Sequence, residues 1–231
     1  MTARFWTIFC LAAALPLMAA EPAKAPGFPE VTRPVARIVG SGWWTSKDRD
    51  AAGEVGQIVA RLGLKPGMTV GDLGAGEGYD TLRLAGLLGP RGRVVAEDVA
   101  PDTLIALSAE ATRRKLGNVI IALGEPQNPR LPPRSLDAAI LVHMYHEVSH
   151  PYAFLYNLAL ALKPGARVGV EELDRPTAAH GTPPGLLRCE FEAVGYKQLS
   201  VGPMKGGLGY FAVFTPPDHL PEPQRIRACS A

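Results

Sequence analysis

Apolar residues recur along this chain with two periods. Val55, Ile58, Val59 and Leu62 fall three and four residues apart, which predicts a helix over 46–62. Lys65-Pro66-Gly67 stops it, and the short apolar run 68–73 predicts a strand. Helical spacing returns at Leu82, Leu84, Ala85, Leu87 and Leu88 and ends at Gly89-Pro90. The alternation then repeats, with strands at 93–98, 119–123, 136–143 and 167–171 and helices at 101–116 and 151–162. The run 138–142 is apolar on both faces, as a buried parallel strand requires. Beyond residue 171 the pattern changes to a helix at 184–194 and strands at 196–201 and 208–214. Their short glycine-bearing link, 202–207, favours an antiparallel hairpin over another crossover. The expectation is an α/β fold, a doubly wound, mostly parallel seven-stranded sheet closed by an antiparallel hairpin.

The ends of the chain read differently. Residues 1–20 carry a single charge, Arg4, before an apolar run over 5–18 and Ala19-Ala20, the layout of a secretory signal peptide. The run is too short to span a bilayer and holds Pro16, so export without a membrane span is expected. A mis-assigned start and an uncleaved anchor are the other readings of that stretch. Pro22, Pro26, Pro29 and Pro34 mark 21–44 as an extended linker. Trp43-Trp44 closes it, either lidding a pocket or packing against the sheet edge, the commoner role of large aromatics. The domain proper is expected over 45–214, with a flexible tail at 215–231. A net charge of +2 on 231 residues shows no basic surface for nucleic acid.

The first strand runs into Asp72-Leu-Gly74-Ala-Gly76-Glu-Gly78 and a helix beginning near Tyr79. Strand, glycine turn and helix in this order form a ligand crevice at the carboxyl end of a parallel sheet. Asp72 and Glu77 oppose a pyrophosphate, which wants bare N–H groups and a helix N-terminus. They suit a ligand carrying ammonium or sulfonium charge. The third glycine also comes one residue earlier than in Gly-x-Gly-x-x-Gly. The stretch resembles motif I of class I S-adenosylmethionine-dependent methyltransferases and matches its acid and three glycines at Asp72, Gly74, Gly76 and Gly78. The resemblance covers residues 45–214 and implies S-adenosyl-L-methionine as cofactor.

Polar residues at the carboxyl ends of the expected strands are Asp72, Asp98, Glu125, His143 and Glu171. By the resemblance, Asp98 takes the ribose hydroxyls, since the Ala-x-Asp-x-x-Pro spacing selects it over Glu97. Glu125, after the third strand, faces the adenine amino group. His143, ending the fourth strand, joins the cofactor-binding set.

The segment His143-Met-Tyr-His-Glu-Val-Ser-His150 invites a metal reading. Its three- and four-residue spacing needs a continuous helix, however, whereas the segment leaves a strand and meets Pro151, so no metal is expected. It resembles the Tyr-His-Glu turn that borders the transferred methyl group in bacterial members of the family. His146 is accordingly the candidate catalytic base, the other reading being a hydrogen bond within the turn. Cys189 and Cys229 remain after leader removal and could pair. The leading expectation is methyl transfer to a small-molecule acceptor. A non-catalytic exported module that keeps the fold is the second reading, and export favours it because S-adenosylmethionine is expected in the cytoplasm. A nicotinamide-dependent oxidoreductase is the third, and Asp72 and Glu77 argue against it.

Overall fold

The computed structural model describes residue 25 and residues 27–39 and 44–230. The expected leader, Cys10 and Trp43 lie outside the described residues. Seven strands, β1 (Thr69–Leu73), β2 (Arg93–Asp98), β3 (Val119–Leu123), β4 (Leu136–Val142), β5 (Leu162–Glu172), β6 (Lys197–Pro203) and β7 (Tyr210–Thr215), form one sheet in the order β3-β2-β1-β4-β5-β7-β6. The first five are parallel, and β7 lies antiparallel between β5 and β6. The doubly wound sheet with its closing hairpin is therefore as expected. Strand order reverses between β1 and β4, where a crevice opens at the carboxyl ends.

Period-two alternation sorts the central strands into two cores. Ala139 and Leu141 of β4, with Ala212 and Phe214 of β7, pack under α5 (Pro151–Ala161) and α6 (Pro184–Ala193). Ala138 and Ile140, with Phe211 and Val213, pack under α2 (Glu54–Leu62) and α3 (Tyr79–Leu88). A third cluster seats α4 (Pro101–Arg113) through Leu107 and Ala111 on Ala96.

Four expectations need correction. The helix expected over 46–62 is two, α1 (Ser46–Ala52) and α2, broken at Gly53 in the left-handed conformation (φ 66°). A glycine adopts that conformation without steric cost, so apolar spacing alone does not reveal the break. Lys163-Pro164-Gly165 does not separate α5 from its strand. It forms a bulge inside β5, whose Leu162 already pairs with Leu136.

The proline-rich segment is extended, yet it is a docked strap rather than a linker. Arg33 is buried and donates from Nε to Glu190 Oε1 (2.9 Å) and from its two Nη atoms to the carbonyls of Tyr145, His146 and Val148 (3.3–3.4 Å). Farther along, Ala36 N donates to His146 O (3.1 Å).

The tail is pinned as well. Ile226 and Cys229 are buried, Cys229 N donates to the Tyr152 hydroxyl (2.7 Å), and Cys189 and Cys229 form a disulfide. Tails fray only where nothing ties them down. Among the described residues, no helix is long and apolar enough to cross a membrane.

The disulfide closes a sequence separation of 40 residues, which corresponds to about 3–4 kcal/mol of denatured-state entropy. Cys189→Ser should lower the melting temperature by roughly 10 °C in a thermal scan. An unchanged melting curve would mean that the packing of Ile226 and the hydrogen bond to Tyr152 hold the tail without the disulfide.

Candidate functional site

The crevice is a cavity of about 730 Å³, within the range of small-molecule sites. Asp72, Gly74, Gly76, Asp98, Glu125, His143 and His146 all border it, together with Arg49, Tyr79 and Asp80 from α1 and α3 and with Ile38 and Val39 of the strap. Trp44 borders the cavity, one of the two roles expected of the tryptophans, and packs on the core under α2 and α3.

The three glycines of the loop have different physical reasons. Gly78 has φ 83°, and a Cβ there would lie 2.1 Å from Leu107 Cδ1, so it serves the packing of α4 and does not face the cavity. At Gly74 a Cβ would meet Met144 at 2.9 Å, whereas at Gly76 it would meet nothing within 4 Å. Gly76 is thus the open point of approach for a ligand. Its N–H donates to Asp98 Oδ2 (2.9 Å), and Ala100 N donates to Asp98 Oδ1 (2.9 Å). These bonds fix the carboxylate and leave each oxygen a further lone pair. Glu125 lies at the rim, half-exposed, and accepts from Arg130 Nη1 (3.3 Å).

The acids deeper in the wall are largely desolvated. Asp72 accepts from Thr81 Oγ1 (2.5 Å), and burial, with Asp80 nearby, pushes its pKa up to about 7. Burial raises Asp80 to about 6 against the opposing pull of Arg49, which donates to Asp80 Oδ2 (2.7 Å). Arg49 is also held by the fully buried Glu54 (Nε to Oε2, 2.8 Å). Burial, reinforced by Asp98, raises Glu97 to about 8. The Tyr79 ring lies 3.6 Å from the Arg49 guanidinium carbon and 3.7 Å from that of Arg83. Two guanidinium groups so close to one ring centre can only occupy its opposite faces. Arg83 in turn is held by Asp50 (Nε to Oδ1, 2.7 Å). Neither arginine presents an unpaired charge to a phosphate. A wall of carboxyls that ionise near neutrality, beside an open glycine backbone, fits S-adenosylmethionine and its ammonium and sulfonium groups.

The histidine turn forms the opposite wall. His143 has left-handed backbone (φ 51°), and its N–H donates to Glu171 O (2.9 Å). Its Nε2 is 3.6 Å from Glu171 Oε1, and burial lowers its pKa. Burial holds the Glu171 carboxyl well above the usual range. His146 lies in a 3-10 turn (Tyr145–Glu147) and is 3% exposed, so its ring can take few orientations. Its Nδ1 donates to both oxygens of the fully buried Glu172 (2.8 and 3.0 Å), and its backbone N–H to Oε1 of the same carboxylate (3.3 Å). That partner keeps the proton on Nδ1 and leaves the Nε2 lone pair on the cavity side. His150, by contrast, bonds locally to Ser149 (3.0 Å).

Sequence reasoning missed Arg49, Asp80 and Glu172. Glu172 directly follows a residue already singled out at a strand end, and it is the signal that was within reach.

Residues 70–165 match the family model described as a methyltransferase domain. The chain is 32% identical over 109 residues to a nocamycin O-methyltransferase of Saccharothrix syringae, covering 46% of this chain and 38% of that protein. It is 28% identical over 116 residues to a ubiquinone/menaquinone biosynthesis C-methyltransferase of Ectopseudomonas mendocina, covering 49% and 45%. The chain thus spans less than half the length of these curated relatives. A crystal structure of a SAM-dependent methyltransferase from Aquifex aeolicus superposes with a TM-score of 0.63 at 26% identity, covering 73% of this chain and 96% of that one.

The loop geometry separates two substitutions. Gly78→Ala combines a left-handed alanine, about 1–2 kcal/mol, with overpacking against Leu107, about 1–3 kcal/mol. Gly76→Ala incurs only the first. Urea denaturation should rank Gly78→Ala as clearly the less stable, and equal losses would show that Leu107 simply moves aside.

Proposed function

The chain belongs to the class I S-adenosylmethionine-dependent methyltransferases, and from that premise we propose that it transfers the methyl group of this cofactor to a small-molecule acceptor bound between the glycine loop and the His146 turn. The observation that carries this reading is one cavity with an open, acid-flanked glycine backbone on one wall and a carboxylate-oriented imidazole on the other. The curated relatives named for their acceptors act on small molecules, and that supports the acceptor class.

In this reading Gly74 and Gly76 give the cofactor close backbone approach, and Gly78 keeps the loop in shape. Asp72 and Asp80 supply negative charge for the cofactor's cationic end. Asp98 accepts from the ribose hydroxyls with the lone pairs left by Gly76 and Ala100. Glu125 meets the adenine edge at the rim, and His143 closes the floor.

The bound sulfonium supplies an activated methyl group, and its displacement is in-line. The protein's main contribution is alignment of the acceptor, which can lower the barrier by about 7–11 kcal/mol. Where the acceptor is a hydroxyl, His146 Nε2 takes its proton, and Glu172 stabilises the imidazolium that results. A positioned base of this kind contributes ~10²–10⁴-fold.

We also propose that the protein acts outside the cytoplasm. The apolar leader pattern over 5–18 and the Cys189–Cys229 disulfide support that location. Sequencing the mature N-terminus from an extracytoplasmic fraction tests it, a start near Glu21 being expected.

Calorimetry of the purified chain against S-adenosylmethionine, S-adenosylhomocysteine and NADH tests the cofactor. The first two should bind and NADH should not; binding of NADH alone would reject the reading. Asp72, raised to about 7, is protonated at lower pH and must lose its proton to meet a cation, so affinity should weaken as pH falls from 8 to 6. One released proton sets the loss at up to ~10-fold, and Asp72→Asn should flatten the profile.

His146→Ala should lower turnover at least ~10-fold with cofactor affinity nearly unchanged. Glu172→Gln should give a smaller loss of turnover and shift its pH dependence. Parallel loss of affinity and turnover in His146→Ala would make the imidazole a structural part of the turn.

A further inference from the structure

Proton transfer by His146 requires one imidazole and one orienting carboxylate, and the structure holds more than that. The carboxylate of Glu147 and the imidazole of His180 stand beside the His146 ring. One ligand-type atom from each of the three residues lies within 4.8 Å of the others. His146 Nε2 is 3.9 Å from Glu147 Oε1, and the His146 and His180 rings meet edge to face with centroids 5.3 Å apart. We propose that His146, Glu147 and His180 form a binding site for a divalent transition-metal ion of the zinc class, at the acceptor end of the cavity.

The donor set selects the ion. Two imidazoles and one carboxylate suit zinc and its first-row neighbours, whereas magnesium and calcium prefer oxygen ligands throughout. Three protein ligands leave a fourth tetrahedral position, as in sites that bind water or substrate. Ligand atoms about 2.0–2.1 Å from zinc lie roughly 3.3 Å from one another. The present spacing, up to 4.8 Å, must therefore contract by up to about 1.5 Å, through side chains that are partly exposed in Glu147 and His180.

Outer contacts are built as a metal site requires. A ligating histidine ordinarily donates its other N–H to a carboxylate, and His146 donates Nδ1 to the buried Glu172 at 2.8 Å. Glu147 Oε1 accepts from Val39 N of the strap at 3.1 Å, which orients the second ligand. His180 sits in left-handed backbone (φ 57°) just after a 3-10 turn (Thr177–Ala179), where Arg175 Nε donates to its carbonyl at 3.1 Å. The three ligands come from two separate loops, after β4 and after β5, so local spacing around His143–His150 carries no sign of the third.

An ion on Nε2 occupies the lone pair that would take an acceptor's proton, so the two states exclude one another. With an ion held by these three side chains, a fourth coordination position would remain for an oxygen of water or acceptor.

The test uses the tag-free full chain, stripped with chelator and dialysed, and reads binding rather than methyl transfer, so it stands apart from the proposed activity. Titration with Co²⁺ should produce the visible absorption of a four-coordinate ion and saturate at one equivalent. Zn²⁺ should displace it, and millimolar Mg²⁺ should not. His180→Asn keeps a residue tolerant of left-handed backbone, and Glu147→Gln keeps volume. Each should weaken Zn²⁺ binding by at least the ~10–100-fold typical of losing an outer-shell partner, with the melting curve of the ion-free protein retained. Failure to bind an equivalent of either ion would overturn the proposal. So would Zn²⁺ affinity unchanged in both variants.

Discussion

The site hangs on one buried cation. Arg33 joins the strap to α6 through Glu190 and gathers three carbonyls of the turn that carries His146. A guanidinium taken out of water is tolerable only when its donors are met, and here a carboxylate and three carbonyls meet them. Those carbonyls belong to or adjoin a single 3-10 turn, in which Glu147 N donates to Met144 O and Val148 N to Tyr145 O. The turn's backbone is thereby braced from outside by a segment more than a hundred residues away in sequence, while Glu172 directs the His146 ring.

Charge in the cavity follows a related logic. Asp72, Asp80 and Glu97 are desolvated enough to titrate near neutrality rather than near pH 4. Arg49 is the cation placed among them, and Glu54 and Asp80 already hold it. The wall is therefore poised, with carboxyls that ionise when a cation arrives and carry less charge when none is present. A pyrophosphate would find no such welcome, and the glycine loop's similarity to dinucleotide-binding turns ends there.

Much of this was legible in the chain. Apolar runs located the central parallel strands, because burial on both faces writes itself directly into composition, while the half-exposed hairpin strand β6 was found through the short glycine-bearing link to β7. Asp72, Gly74, Gly76 and Asp98 could be singled out as neighbours of one cavity because each lies at or just after the end of a recognisable strand, where short-range spacing is readable. What escaped depends on tertiary approach. Gly53 breaks a helix through backbone conformation, and apolar periodicity does not record conformation. Arg33 looked like one more residue of a proline-rich linker. Glu172 shows how narrow the margin is. β5 runs one residue beyond its expected end, and successive strand residues face opposite sides. Glu171 was chosen as the terminal acid, but its neighbour is the one that meets His146.

The contact between Gly78 and Leu107 also ties the glycine loop to a helix. With no side chain to act as a spacer, the loop backbone takes its position from α4. Ile38 and Val39 border the same cavity from the strap, where Val39 N is held by Glu147 and Ala36 N by the His146 carbonyl. One rim is thus set by close packing and the other by a few hydrogen bonds, so the cavity has walls of unequal build.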